Sequence, residues 1–205
     1  TTKGFVLNND ATYDSTVLAT RVQLTDNFTG NQNGTLSVNL SAYENFEMRV
    51  QIRVVPGSTD GDGLWLFGNS DNPSAIYDTS SNAYSANGLA WIVHRYSANG
   101  AFSRIVNGSS LLSSYTDIPT QASYDSVYHT YILRKVGNAI TGELRSRGQF
   151  PSARFEATLT GTAPTGTYFG IGGMTGGGAN AYQFVSSIEI RSLGDSASSI
   201  IDEVD

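Results

Sequence analysis

Two short segments of this 205-residue chain hold residue types whose spacing could do chemistry. The first is Asp60, Gly61, Asp62 and Gly63. A carboxylate set between glycines in a tight turn can accept hydrogen bonds from ligand hydroxyls or ligate a hard cation. A plain polar turn explains the same residues, because Asp and Gly are favoured there. The second is Thr175, Gly176, Gly177, Gly178, Ala179 and Asn180. Its glycines let a ligand come close to the backbone, or form a merely permissive loop. No GK[ST] and no helix start follow it, which excludes a phosphate cradle.

Other chemistries are poorly supplied. There are no cysteines and only two histidines, His94 and His129, so neither a thiolate site nor a His-rich metal site can be built from one copy of the chain. Glutamates stand at 44, 47, 143, 156, 189 and 203. None heads an E-x-D-x-x-E arrangement of the kind that sets nucleophile and acid about 5 Å apart in a retaining glycosidase. No G-x-S-x-G elbow is present. The chain therefore reads as non-catalytic, and a polysaccharide-cleaving enzyme would need a carboxylate pair gathered from different strands. The net charge of −6, with ten Arg, two Lys and no basic run, argues against nucleic acid. No run of 18 apolar residues occurs, so membrane insertion is not expected. The opening residues lack a basic and apolar leader, and Thr1 reads as the start of a processed piece. Asn27, Asn33, Asn39 and Asn107 head N-x-[ST] sequons, which chance alone can produce in a chain so rich in Asn, Ser and Thr.

The elements that must position these segments are strands. The 22 glycines, the abundant Ser, Thr and Asn, and a charged share of only 15% suit short strands joined by turns. Residues 46–54 alternate strictly, with Phe46, Met48, Val50, Ile52 and Val54 on one face and Glu47, Arg49, Gln51 and Arg53 on the other. Pro56 and Gly57 end that strand. Leu64, Trp65, Leu66 and Phe67 read as a strand buried on both faces. Residues 89–96 and 102–106 flank a turn at 97–100 that contains Asn99 and Gly100, and residues 130–136 and 140–145 flank Gly137, Asn138 and Ala139; both are hairpins. Strands over 168–172 and 184–191 follow. No stretch has helical periodicity long enough for a stable helix, so an all-β sandwich is predicted. Trp65 and Trp91 fall in apolar strands and read as core, as do most of the 11 tyrosines, although an exposed Tyr can stack on a sugar ring. Residues 1–192 form the predicted domain, and 193–205 read as a linker-like acidic tail that joins a further domain or frays.

The order of these segments resembles that of the legume-type (L-type) lectins and the wider concanavalin A-like lectin/glucanase group. Leu7, Asn8, Asn9, Asp10 and Ala11 are similar to the family's early LNGDA stretch. Val22, Gln23, Leu24 and Thr25, then Gly34 to Val38, stand where those lectins read LxLT and GxAxY. Asp62, Gly63, Leu64, Trp65, Leu66 and Phe67 resemble DGLAFFL, and residues 168–176 resemble VGFSAxTG. Residues 185–190 resemble the family's last strand. The resemblance implies a concanavalin A-like jelly-roll sandwich of two large antiparallel sheets, with glycan bound at loops on one end. It implies that Asp62 accepts hydrogen bonds from two sugar hydroxyls, often after a cis peptide bond, with Gly63, Thr175, Gly176 and Gly177 beside it. The 97–100 turn, with Asn99, and residues 69–84 are expected to shape the rest of the surface.

The sequence departs from the family at its metal strand. Where those lectins read VEFDTY, this chain has Trp91, Ile92, Val93, His94, Arg95 and Tyr96, so Ile92 and His94 replace the two carboxylates. Calcium takes several oxygen ligands, and this strand offers none, so no cofactor is expected. A different calcium site from Asp60, Asp62, Asn69 or Asp71 is the remaining alternative. The expected role is a carbohydrate-binding module on a cell or virion surface, with a glycan or glycoprotein as partner, inside a larger multidomain or multimeric assembly. A structural or adhesion domain of a spike, capsid protein or large adhesin is the rival reading.

Overall fold

A computed structural model of the chain describes residues 4–14, 21–26, 28–56, 63–78, 83–94, 101–116, 126–148, 152–176, 181–194 and 200–203. Among these residues there are seventeen strands and no helix. One sheet has seven strands, in the order β1 (Phe5–Asn9), β4 (Asn33–Asn39), β15 (Tyr168–Met174), β6 (Gly63–Ser70), β9 (Leu89–His94), β10 (Phe102–Asn107) and β11 (Ser110–Tyr115). The other runs β14 (Ala153–Thr158), β13 (Ala139–Arg145), β12 (Tyr128–Val136), β5 (Phe46–Pro56), β16 (Ala181–Ser192), β3 (Val22–Thr25) and β2 (Thr12–Tyr13). An eighth strand, β17 (Ile200–Glu203), pairs with β16 and so lies within the stretch 193–205. Every pairing is antiparallel. The concanavalin A-like sandwich expected from the segment order is the architecture found.

Alternation decides which face each strand buries. In β5 the even-numbered residues from Phe46 to Val54 point into the sandwich and are buried. Its odd-numbered residues face solvent, where same-strand ion pairs form: Arg49 with Glu47 at 2.7 Å and, on β13, Arg145 with Glu143 at 2.7 Å. β6 and β9 are buried along their whole length because both of their faces are covered. Inward, Leu64, Leu66, Leu89, Trp91 and Val93 join the main core. Outward, Trp65, Phe67, Ala90 and Ile92 meet Ala75, Tyr77 and Tyr84. The latter three belong to the excursion between β6 and β9, which also holds the short pair β7 (Tyr77–Asp78) and β8 (Ala83–Tyr84). Two hydrogen bonds pin it down: Trp65 Nε1 donates to the Ala75 carbonyl at 3.2 Å, and the Tyr84 hydroxyl donates to Ser70 Oγ at 3.1 Å. Burial holds the Tyr84 phenol above its ordinary pKa.

The excursion leaves β6 at the end away from Gly63: Asn69 lies six residues along β6 from Gly63, roughly 20 Å at about 3.3 Å per residue. It covers the outer face of the seven-stranded sheet and reaches back to the Gly63 end, where the Tyr77 ring meets Phe102, the residue that pairs with His94. Residues 79–82 lie outside the described residues.

Trp91 organises the main core. Its ring lies 5.9 Å from that of Tyr131 and 6.0 Å from that of Phe155, and its Nε1 donates to the buried Ser103 Oγ at 2.8 Å. The indole rests on Gly142 of β13, where any Cβ would overlap its ring atoms. Gly142→Ala is therefore expected to destabilise the domain by about 1–3 kcal/mol through overpacking. Denaturant unfolding would show a lower midpoint with an unchanged slope.

Candidate functional site

Register brings the sequence-predicted segments to one end of the sandwich. Gly63 opens β6 and pairs with His94, the last residue of β9, and with Met174, the last of β15. Met174 also pairs with Asn33 at the start of β4. Pro56, where β5 ends, pairs with Ala181, where β16 begins. Four connections therefore emerge together: 26–32, 57–62, 95–101 and 175–180. Of the predicted site residues, Gly63, Thr175 and Gly176 are placed here, while Asp62, Asn99 and Gly177 lie outside the described residues.

Thr175 is 4% exposed and its polar groups face inward. Its N–H donates to the Gln32 carbonyl at 3.1 Å. Its hydroxyl accepts from the Gln32 N–H at 3.1 Å and donates to the Thr29 carbonyl at 3.3 Å. The next residue continues the seam, since the Gly176 carbonyl accepts from the Asn31 N–H at 3.2 Å. Thr175 and Gly176 are thus bonded against the 26–32 loop.

The 26–32 loop is itself shaped by one carboxylate. Asp26 Oδ1 accepts from the N–H groups of Phe28 (2.8 Å) and Thr29 (2.7 Å), and Oδ2 from Gln32 Nε2 (3.2 Å) and the Thr29 hydroxyl (3.3 Å). Gln32 Oε1 returns the contact by accepting from the Asp26 N–H at 2.7 Å. Burial raises the Asp26 pKa, but the hydrogen bonds from Phe28, Thr29 and Gln32 outweigh it and hold the carboxyl below its ordinary range. An Asp followed by two backbone donors is an Asx turn; Asp26, Phe28, Thr29 and Gly30 carry its signal, although motif spacing does not single them out.

Beneath the loops lies a residue that sequence reasoning did not single out. Gln183 occupies an inward position of β16, is 1% exposed, and reaches across to the other sheet. Its Nε2 donates to the carbonyls of Gly63 (3.2 Å) and Met174 (3.1 Å), tying the β6 and β15 ends together. Its Oε1 sits against Gly173, where a Cβ would collide with it. The readable clue is a long polar side chain in an otherwise apolar inward series of Ala181, Val185, Ile188 and Ile190.

On the other side of Gly63, His94 is 2% exposed and stacks on Phe102 with ring centroids 4.5 Å apart and planes 8° from parallel. The Phe102 ring also carries the Arg104 guanidinium, 4.0 Å from its centroid, and Arg104 Nη1 donates to the Tyr77 hydroxyl at 2.8 Å.

No family model and no curated protein sequence matches the chain. Solved structures do. The exoplasmic/lumenal domain of VIP36 in its Ca²⁺/Man₃GlcNAc-bound form superposes with a TM-score of 0.72 at 15% identity, over 95% of this chain and 85% of that one. A legume lectin-like domain from Entamoeba histolytica gives 0.67 at 13% identity, over 93% and 91%. Lectin II from Ulex europaeus gives 0.68 at 14% identity, over 92% of each chain. The chain has the legume-lectin fold.

Solved forms of the VIP36 domain hold Ca²⁺, whereas the β9 side chains of this chain do not fit a calcium ion. Within β9 of this legume-lectin fold, Ile92 belongs to the apolar cluster on the outer sheet face and His94 is stacked on a ring. Neither supplies the oxygen ligands a hard cation needs. Among the described residues, no three His, Asp or Glu side chains are grouped to hold a metal. Of the alternative set, Asp60 and Asp62 lie outside the described residues, while Asn69 and Asp71 sit at the end of β6 away from Gly63. There Asn69 exchanges hydrogen bonds with the Tyr43 backbone at 3.0 and 2.7 Å, and Asp71 accepts from Asn87 Nδ2 at 2.8 Å.

Two outcomes follow. Gln183→Leu leaves two buried carbonyls short of a donor and should cost about 1–3 kcal/mol. Hydrogen exchange should rise at residues 63–64 and 174–175 more than it does in Gly142→Ala. Asp26, with its depressed pKa, contributes stability that is present above the ordinary carboxylate pKa of about 3.9 and lost as pH falls through the lower folded value. The difference in melting temperature between wild type and Asp26→Asn should therefore be open at pH 7 and close progressively below about pH 4.

Proposed function

We infer that the chain is a non-catalytic glycan-binding module of lectin type, taking its ligand at the loop end around Gly63 and Gly176. The observation that carries this reading is the register that brings the end of β5, the start of β6 and the ends of β9 and β15 to one end of the sandwich, tied from below by Gln183 and from the side by the Asp26-organised loop. A base fixed in this way lowers the ordering cost of binding there. In this reading Asp62 accepts ligand hydroxyls, Gly63, Gly176 and Gly177 allow close backbone approach, and Asn99 supplies an amide. Thr175 acts by holding the loop. No calcium takes part, because the β9 positions are apolar or stacked.

Two further observations support it. Structures that share the fold include sugar-bound lectins, VIP36 with Man₃GlcNAc and the Ulex europaeus lectin with galactose. The outward glutamates are each held by an arginine on the same strand: Glu47, Glu143, Glu156 and Glu189 by Arg49, Arg145, Arg154 and Arg191. Such pairing leaves them poorly placed as a general acid and nucleophile. The module would work outside the cytosol, displayed on a cell or particle surface as part of a larger assembly, as the VIP36 domain is exoplasmic/lumenal.

A glycan array probed with the multimerised domain tests this, in calcium and again in EDTA. Single-site affinity should be weak, about millimolar, and raised by multivalency. Binding should persist in EDTA and fall at least about tenfold in Asp62→Ala, the loss expected when a charged acceptor is removed. Absence of any bound glycan in both conditions would overturn the reading in favour of a structural or adhesion role.

A further inference from the structure

Phe28 is the most exposed large apolar side chain among the described residues, at 79%. It is also firmly held. Its own N–H and that of Thr29 donate to Asp26 Oδ1, and the Thr29 carbonyl accepts from Thr175. The ring meets Tyr182 edge-on, with centroids 5.9 Å apart and planes at 88°. Tyr182 in turn stacks on Phe184 at 5.4 Å, and the Arg21 guanidinium lies 4.3 Å from the Phe184 centroid, itself paired with Asp14. This row on the outer face of β16 props the Phe28 ring from one side without covering it.

A rigid exposed ring loses little conformational freedom on binding, and its face suits a flat ligand that is apolar on one side and polar at its rim. A pyranose is such a ligand: its C–H face packs on an aromatic ring while its hydroxyls need donors and acceptors around it. Exposed Thr29 and Asn31 in the same loop supply polar side chains for that rim. A protein partner needs about 800 Å² of surface per side, whereas the apolar ground here is one ring and its tyrosine neighbour, the footprint of one or two sugars. Among the described residues, an anionic group has no cation at Phe28 to meet, since Arg21 lies beyond Phe184 and is neutralised by Asp14.

The geometry points to a second subsite: Phe28, backed by Tyr182, takes a further pyranose residue of a glycan whose first sugar occupies the loop end at Gly63 and Gly176. The two places are joined by the seam that bonds Thr29 and Asn31 to Thr175 and Gly176. This rests on the loop-end reading and narrows it, making the ligand an oligosaccharide rather than a monosaccharide.

The test is an array carrying mono- to tetrasaccharides of mannose, glucose, galactose and N-acetylglucosamine, probed with protein made without N-glycosylation because Asn27 heads a sequon. Wild type should bind longer chains better than the monosaccharide. Phe28→Ala should lower that gain roughly three- to tenfold, the scale of an aromatic contact, and leave monosaccharide binding unchanged. Phe28→Trp should keep the gain. A gain that survives in Phe28→Ala, or equal wild-type binding at all lengths, would overturn the subsite and leave the loop end intact. Loss of all binding in Asp62→Ala supports the loop end itself. Binding removed by Phe28→Ala but untouched by Asp62→Ala would instead overturn the loop-end reading, and the two-site ligand with it.

Discussion

A single buried amide fixes the end of the sandwich at which β6, β9 and β15 stop. A buried amide costs stability unless it is hydrogen-bonded, and the Gln183 Nε2 donors find their partners by spanning the two sheets. Their acceptors, the Gly63 and Met174 carbonyls, belong to neighbouring strands at the point where those strands stop. The Gln183 oxygen occupies the space a Cβ at Gly173 would take, so a larger residue there would displace the amide. Thr175 and Gly176 therefore leave the sheet from a fixed point, with Asn31 and Gln32 laid against them by main-chain bonds.

The opposite faces of the domain follow from two different solutions to exposure. On the seven-stranded sheet an apolar outer face is roofed over by the excursion through Ala75, Tyr77 and Tyr84. The eight-stranded sheet needs no roof, because its outer face alternates Arg and Glu at two-residue spacing along single strands. Each exposed pair adds little stability. Together they keep a broad sheet wet and hold each carboxylate to a cation of its own. One face is thus roofed and the other charge-paired.

Much of this architecture is legible in local sequence pattern. The strict alternation at 46–54 defines β5 and its buried face, and the uninterrupted Leu64, Trp65, Leu66 and Phe67 run marks β6 as covered on both sides. The turns at 97–100 and 137–139 separate strands that do pair. What cannot be read there depends on reach and register. Nothing in the composition of 193–205 indicates that residues 200–203 pair with β16. The destination of residues 69–84 depends on which end of β6 they leave from. The His94 stack needs the knowledge that residue 102 lies opposite it. Gln183 looks like an error in an apolar series until the two carbonyls it serves are located.

The strand order has a consequence for how the molecule comes to exist. β15 lies between β4 and β6, and β16 lies between β5 and β3. Until both are made, neither sheet is continuous: one is split into β1–β4 and β6–β9–β10–β11, the other into β14–β13–β12–β5 and β3–β2. β15 and β16 are consecutive in the chain but belong to different sheets, so each is the keystone of one layer and the 175–180 connection crosses between the two. A nascent chain short of residue 192 presents several unpaired strand edges at once, the kind of surface that invites association with other chains. Synthesis of this domain is therefore an all-or-nothing affair, in which most of the polypeptide waits, half-paired, for the remainder to leave the ribosome.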